Sequence, residues 1–315
     1  MGIKDLLGNS SFIMVLALIL ALIIGFPYRD MGSKIPLIVL AVMMTVSLSR
    51  ISFSNLNPIK HKTSVLRALI LGTLVASFIP LAASLFIDDP LYKAGLVFIG
   101  AAPFAASVVP LSFIMKGDVE HAARGTIIVY LLSIIYIPVI VKLFAGETVS
   151  ILDVVGYVVI LVLIPIILSR PVSRVKISTS SMQIFVNLCV AILIFVSVGS
   201  NKNIFESETS LLLIFMGIAV LRTFVLGLGL EYLEKKCGIA WEQRVPDVLM
   251  ASYKNKGVAI ALTMGLLPPA AAFPITASII IEVCWVICMD RFLFTSKRRE
   301  KEIRLESAST QSMDA

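Results

Sequence analysis

The chain has 315 residues, 58% of them hydrophobic and 15% charged, with a net charge of +7. Soluble domains carry about 25% charged residues, so this composition excludes an ordinary soluble domain and points to a membrane protein. The basic residues are scattered over separate loops and both ends, which makes a nucleic-acid-binding patch the weaker reading and a topology signal the stronger one.

Ten apolar segments follow one another, at 11–28, 34–49, 64–87, 91–115, 120–143, 151–169, 180–200, 208–230, 245–267 and 270–292. Each is near the ~20 residues that cross a hydrocarbon core. The first has a long apolar run and no small-residue cleavage site, so it is expected to stay in the membrane rather than act as a cleaved signal. In the third, Ser77 and Pro80 read as a kink with small-residue packing. The fourth carries Gly100-Ala101-Ala102-Pro103-Phe104-Ala105-Ala106-Ser107-Val108-Val109-Pro110, where two prolines remove backbone donors and small residues permit close crossing. The fifth holds Thr126 in its early turns, the seventh Asn187, which fits an interhelical hydrogen bond. Arg222 in the eighth and Glu282 in the tenth are expected to form an intramembrane ion pair, a structural role preferred here over contact with substrate.

The ninth segment is the anomalous one. Lys254-Asn255-Lys256-Gly257 puts two ammonium groups inside an apolar stretch, with Lys254 roughly 10 Å of helix rise beyond Asp247. A charge at that depth costs ~2.5–3.5 kcal/mol on insertion scales, so it faces a polar cavity or a partner rather than lipid. The tail from Lys297 reads as a disordered basic end attracted to anionic lipid. His61 and His121 read as loop residues. Cys189, Cys237, Cys284 and Cys288 show neither metal spacing nor a disulfide framework.

With the N-terminus in the cytoplasm, 19 of the 27 Lys and Arg residues lie on that side and five (Arg29, Lys34, Lys93, Lys142, Lys202) opposite, leaving Arg222, Lys254 and Lys256 in the membrane. The positive-inside rule places both termini in the cytoplasm, and an even helix count agrees. Segment starts in the second half repeat those of the first. Five helices per half make the repeat inverted, with 1–147 and 148–296 as the two units and 297–315 as the tail. Interrupted helices in corresponding positions, here the fourth and ninth, are the strongest sequence pointer to a transporter binding site. The expected fold is therefore an all-α polytopic membrane protein of ten transmembrane helices, in two inverted five-helix repeats with broken, crossing helices 4 and 9.

Ala102-Pro103 through Ser107, followed by Met115-Lys116-Gly117-Asp118-Val119, resembles the fourth-to-fifth helix region of the bile acid:sodium symporter family. Lys254-Asn255-Lys256-Gly257-Val258-Ala259 is similar to the family's Gln-Asn-Ser-Gly-Leu-Ala stretch. The resemblance implies a panel domain of helices 1, 2, 6 and 7 and a core domain of helices 3–5 and 8–10, with substrate held between them at the crossover. It also implies departures. The family's sodium-binding Ser-Asn pair falls on Val108 and Val109, its glutamate on Met250, its ninth-helix glutamine on Lys254 and its third-helix glutamine near Val75 or Ala76. Of the sodium ligands only the threonine remains, as Thr126. Sodium requires several oxygen ligands, so the family's sodium coupling does not carry over. Phe104 stands where the related arsenite permeases keep a cysteine, which disfavours arsenite.

These residues lead to two functional hypotheses. The first is a secondary transporter for a small organic anion, drawn to a cavity made electropositive by two half-helix N-termini and two lysines. The crossover residues are then Pro103, Ser107, Pro110, Thr126, Lys254, Asn255, Lys256 and Gly257. Lys254 would replace an ion by donating to carbonyls that a broken helix leaves free. If it loses its proton during the cycle, transport is proton-coupled; if it stays charged, the protein is a uniporter or exchanger. The second is a non-transporting membrane sensor or structural subunit with the same fold, disfavoured by the short loops and the lack of a soluble output domain. No enzymatic chemistry, cofactor, metal or nucleic-acid partner is expected. The lipid bilayer is the expected environment, and nothing in the sequence marks an oligomeric state.

Overall fold

The structure, a computed structural model, describes residues 3–28, 31–51 and 61–313. Arg29 and Lys60, which enter the charge balance above, lie outside the described residues. The fold is helical. Among the described residues, the isolated β-type pairing is an antiparallel bridge between Phe104 and Lys254.

The main helices are α1 (Ser10–Ile24), α2 (Lys34–Leu48), α3 (Lys62–Ser84), α4 (Pro90–Ala101), α5 (Val108–Ile114) and α6 (Val119–Ala145). They continue with α7 (Ile151–Val172), α8 (Thr179–Ser200), α9 (Thr209–Lys236), α10 (Trp241–Ser252), α11 (Lys256–Leu266), α12 (Phe273–Cys288) and α13 (Ser296–Met313). Six helices among the described residues are long and apolar enough to cross a membrane: α3, α6, α7, α8, α9 and the stretch Pro269–Leu293 that contains α12. The apolar helices α1, α2, α4 and α11 are shorter. Phe78, Leu143 and Phe292 are each more than two-thirds exposed, as side chains facing lipid would be.

Local chemistry fixes the breaks. Asp89 caps α4, accepting from the Leu91 and Tyr92 amides, with Pro90 at a first-turn position where its missing N–H costs nothing. The same helix stops because Pro103 cannot donate and drives Ala102 into extended backbone, φ −62° and ψ 146°. Pro110 does not contribute to the break: it lies in the first turn of α5, where no donor is needed. On the other side, α10 ends at Ser252 and α11 restarts with Asn255 as its cap, its side chain accepting from the Val258 amide.

Two packing groups result. The helices α1, α2, α7 and α8 pack on one another, as do α3 with α4 and α6, and α9 with α10 and α12. The groups meet where α11 crosses α2 and α6 lies beside α7.

Two expectations need correction. The tail is not disordered in its described part. It forms α13, held by ion pairs from Arg298 to Glu231, from Lys235 and Arg244 to Glu302, and from Arg299 to Glu242. Composition misled because the partners that neutralise this polar helix lie on α9 and α10. His121 is not a loop residue either. It sits in the first turn of α6, only 4% exposed, with Asp247 beside it.

Candidate functional site

The two breaks are paired. The Ala105 amide donates to the Tyr253 carbonyl (2.9 Å) and the Asn255 amide to the Pro103 carbonyl (2.8 Å). Each extended segment thus supplies the backbone partners that the other lost on leaving its helix, which is how irregular backbone is tolerated inside a bundle.

Lys254 lies at the centre and is 1% exposed. Its Nζ donates to the carbonyls of Ala102 (2.8 Å), Gly100 (3.0 Å) and Gly72 (3.3 Å) and to Ser77 Oγ (2.9 Å). The Ser77 hydroxyl itself donates to the Gly100 carbonyl at 2.6 Å. All four neighbours are therefore acceptors toward Nζ. An ammonium, with three N–H bonds, fits that set better than a neutral amine with two. The carbonyls belong to the C-terminal end of α4 and to a π-helical turn of α3 at Ile70–Val75, places where the regular ladder is interrupted. Gly72 is required by close approach: a Cβ there would lie 2.5 Å from the Phe104 ring.

Asn255 closes a second chain of bonds. Its Nδ2 donates to the Tyr130 hydroxyl (2.6 Å), which donates to the Phe104 carbonyl (2.9 Å). The other half-helix end is met by Arg222, from a π-helical turn of α9. Its Nη1 donates to the Ser252 carbonyl at 2.9 Å and its Nη2 pairs with Glu282. The expected Arg222–Glu282 pair is present, but Glu282 also faces the adjacent cavity, where Lys256 Nζ approaches it at 3.4 Å without hydrogen-bond alignment.

That cavity has a volume of ≈ 450 Å³, within the range of small-molecule sites. Ser107, Pro110, Lys254, Asn255, Lys256 and Gly257 all contribute to its wall, with Met43 and Ser47 of α2 and Asn187 of α8 opposite. The lysines diverge: Lys254 turns its ammonium into the carbonyl cage, whereas Lys256 stays at the cavity. Pro103 serves through its carbonyl. Thr126 is not brought to the cavity; its hydroxyl donates to the Ala122 carbonyl one turn back (2.8 Å). Around the crossover, Arg222, Lys254 and Lys256 face Glu282, so basic groups outnumber the carboxylate.

Sequence reading missed Ser77 as a polar partner, and Tyr130 and Gly72 altogether. Ser77 carried a signal, a hydroxyl in an apolar segment, but was assigned to packing. Tyr130 carried none, since a tyrosine among aliphatic residues reads as core.

Interrupted helices that pair through extended segments beside a cavity, in a bundle of apolar helices, define a multi-pass helical membrane protein of the kind transporters use. The model of the Sodium Bile acid symporter family matches residues 37–201, just over half the chain, and the chain belongs to that family. Its members are membrane transporters. The match runs from α2 to the end of α8, so the α4–α5 break lies inside it and the α10–α11 break beyond it. A search of curated proteins finds no match to the chain.

Proposed function

We propose that this protein is a secondary transporter of a small organic anion, working by alternating access, with the Lys254 ammonium fixed where other family members would use a sodium ligand. The observation that carries this reading is the cavity at the crossover, walled by Lys256 and the N-terminal end of α11 and backed by more cationic than anionic groups. An anion entering it meets both a positive side chain and amides that lack helical acceptors. The packing groups support a panel of α1, α2, α7 and α8 moving against a core of α3–α6 and α9–α12. In this reading the chain spans the cell membrane ten times as two inverted repeats, 1–147 and 148–296, with both termini and the 297–315 tail in the cytoplasm.

The cage around Lys254 bears on coupling. In this reading the Lys254 side chain already fills the oxygen-lined position, so the driving force is not a sodium ion bound there. The experiment has two stages. Purified protein is screened by thermal shift against carboxylates, sulfonates and sterol-like acids, and the best stabiliser is then followed into proteoliposomes under imposed sodium, potassium and pH gradients. Stabilisation by anions and uptake indifferent to sodium are expected. Stabilisation by cations or neutral compounds alone, or uptake that needs sodium, would overturn the proposal.

A further inference from the structure

Away from the crossover, α3, α6, α9 and α10 converge on a second set of buried titratable groups. Asp247 of α10 is fully buried and accepts from two donors, Arg67 of α3 on one carboxylate oxygen and His121 Nε2 on the other (2.9 Å). Glu234 of α9, 9% exposed, accepts from the same Arg67 nitrogen through Oε1 at 2.8 Å. The two carboxyl groups therefore share one guanidinium nitrogen and lie side by side. The second Glu234 oxygen, Oε2, is buried and has no donor.

The neighbours do not supply one. Arg124 of α6 is directed at Glu120 (3.1 Å) and Ser64. Lys235 and Arg244 point to Glu302 of α13, and Glu231 is engaged by Arg298. The set is thus one guanidinium, one imidazole and two carboxyls. With both carboxyls ionised and His121 neutral it carries a buried net charge of −1, a state that burial disfavours strongly. One added proton makes it neutral. Both His121 ring nitrogens already have partners, Asp247 at Nε2 and Ser64 at Nδ1, whereas one Glu234 oxygen has none. Asp247 has a partner on each carboxylate oxygen. Glu234, with one donor and an orphaned oxygen, is the one that gains from a proton, since protonation turns an unmet acceptor into a donor beside a second carboxylate.

We propose that Glu234 and Asp247, held by Arg67 and His121, form a proton-binding site in which one exchangeable proton is shared between the two carboxyls. The site joins α3, α6, α9 and α10. Asp247 lies on the same half-helix as Ser252, roughly 8 Å of rise from the crossover. Losing the proton leaves two carboxylates facing each other between α9 and α10 and loosens the half-helix that ends in Tyr253 and Lys254. The proposal does not depend on what the cavity carries.

The test is infrared difference spectroscopy on the full chain in lipid, comparing spectra across a pH series. The wild type should show a protonated-carboxyl C=O band at neutral pH that is lost on raising pH and absent in Glu234→Gln. A paired series of thermal unfolding midpoints gives a second readout. The proton stabilises the folded state, so the site's contribution to stability should be full at low pH and be lost as pH rises through release of the proton. Glu234→Gln, which keeps a donor to Asp247, should remove that fall. A band unchanged in Glu234→Gln and Asp247→Asn, or the same fall in wild type and Glu234→Gln, would overturn the proposal. If Asp247→Asn fails to fold, Glu234→Gln alone decides the matter.

Discussion

Replacing Lys254 by methionine keeps the length and bulk of the side chain and removes the charge and its donors. Its four acceptors do not suffer equally. The Gly100 carbonyl keeps the Ser77 hydroxyl as a donor, and Ser77 keeps its own donated bond. The Ala102 carbonyl, at the frayed end of α4, and the Gly72 carbonyl, in the π-helical turn, lose a buried donor. An unmet buried acceptor costs about 1–3 kcal/mol, so the pair amounts to roughly 2–6 kcal/mol. Relief of the buried ammonium's desolvation acts in the opposite sense. Lys254→Met should therefore lower stability by a few kcal/mol, read from denaturation in detergent. Lys254→Gln, which still donates, should lose less. The carbonyl cage also makes a sharper demand. In Lys254→Ala it is vacated, so methylammonium or sodium should restore stability in proportion to RT ln(1 + [L]/Kd), about 1.4 kcal/mol at ten times Kd. The wild type, its cage filled, should show no such gain. A Lys254→Met protein as stable as wild type, together with no cation response in Lys254→Ala, would refute the assignment of Lys254 as the cation of the crossover.

Arg222→Leu should cost about 3–5 kcal/mol by leaving Glu282 buried beside Lys256 alone, and Arg222→Leu combined with Glu282→Leu should cost less than the two single changes together; a denaturant double-mutant cycle measures the coupling. Gly72→Ala places a methyl against the Phe104 ring and should cost about 1–3 kcal/mol, checked by thermal unfolding of the purified protein. Docking of α13 should weaken at acid pH. Burial alone would raise the Glu302 carboxyl above the ordinary 4.5, but hydrogen bonds from Lys235 and Arg244 outweigh it and hold the group lower. The stabilisation is therefore present above about pH 4.5 and lost as pH falls below it. Hydrogen exchange of α13 across that range reports the change, and Glu302→Gln should abolish the step.

The parts of this site that could be read in the sequence are those whose chemistry conflicts with their surroundings. A proline after two alanines in an apolar segment announced the α4 break, and lysines in another announced the second. Arg222 and Glu282 could be matched because each was costly alone. The cage was not legible in the same way. Its acceptors are backbone carbonyls, which have no letter in the sequence, and they come from α3 and α4, more than 150 positions from Lys254. The Asp247 cluster was hidden for another reason. Each of its members stands near the end of an apolar segment, where charged residues usually meet water, and only the packing of α3, α6, α9 and α10 turns that end inward. The tail was misread because its stabilising partners lie on other helices.

The two half-helices that end at the crossover present the same electrostatic problem. The C-terminal end of α4 and that of α10 each expose carbonyls that have no amide to follow them, with a partial negative charge of about half an elementary unit. In water such ends are solvated; in a bundle they require a cation or a donor. Here both are met by side chains of this chain, Lys254 at Gly100 and Ala102 and Arg222 at Ser252. The solutions differ in charge. Arg222 is neutralised by Glu282, so the α10 end is closed without adding a net field. Lys254 is surrounded by neutral acceptors, none of which cancels the charge of an ammonium there. A bound sodium ion would give a similar field but could leave; a side chain cannot. Both ends of the crossover are thus closed by side chains of the chain itself, one by a guanidinium paired with Glu282 and one by a lysine held among backbone carbonyls.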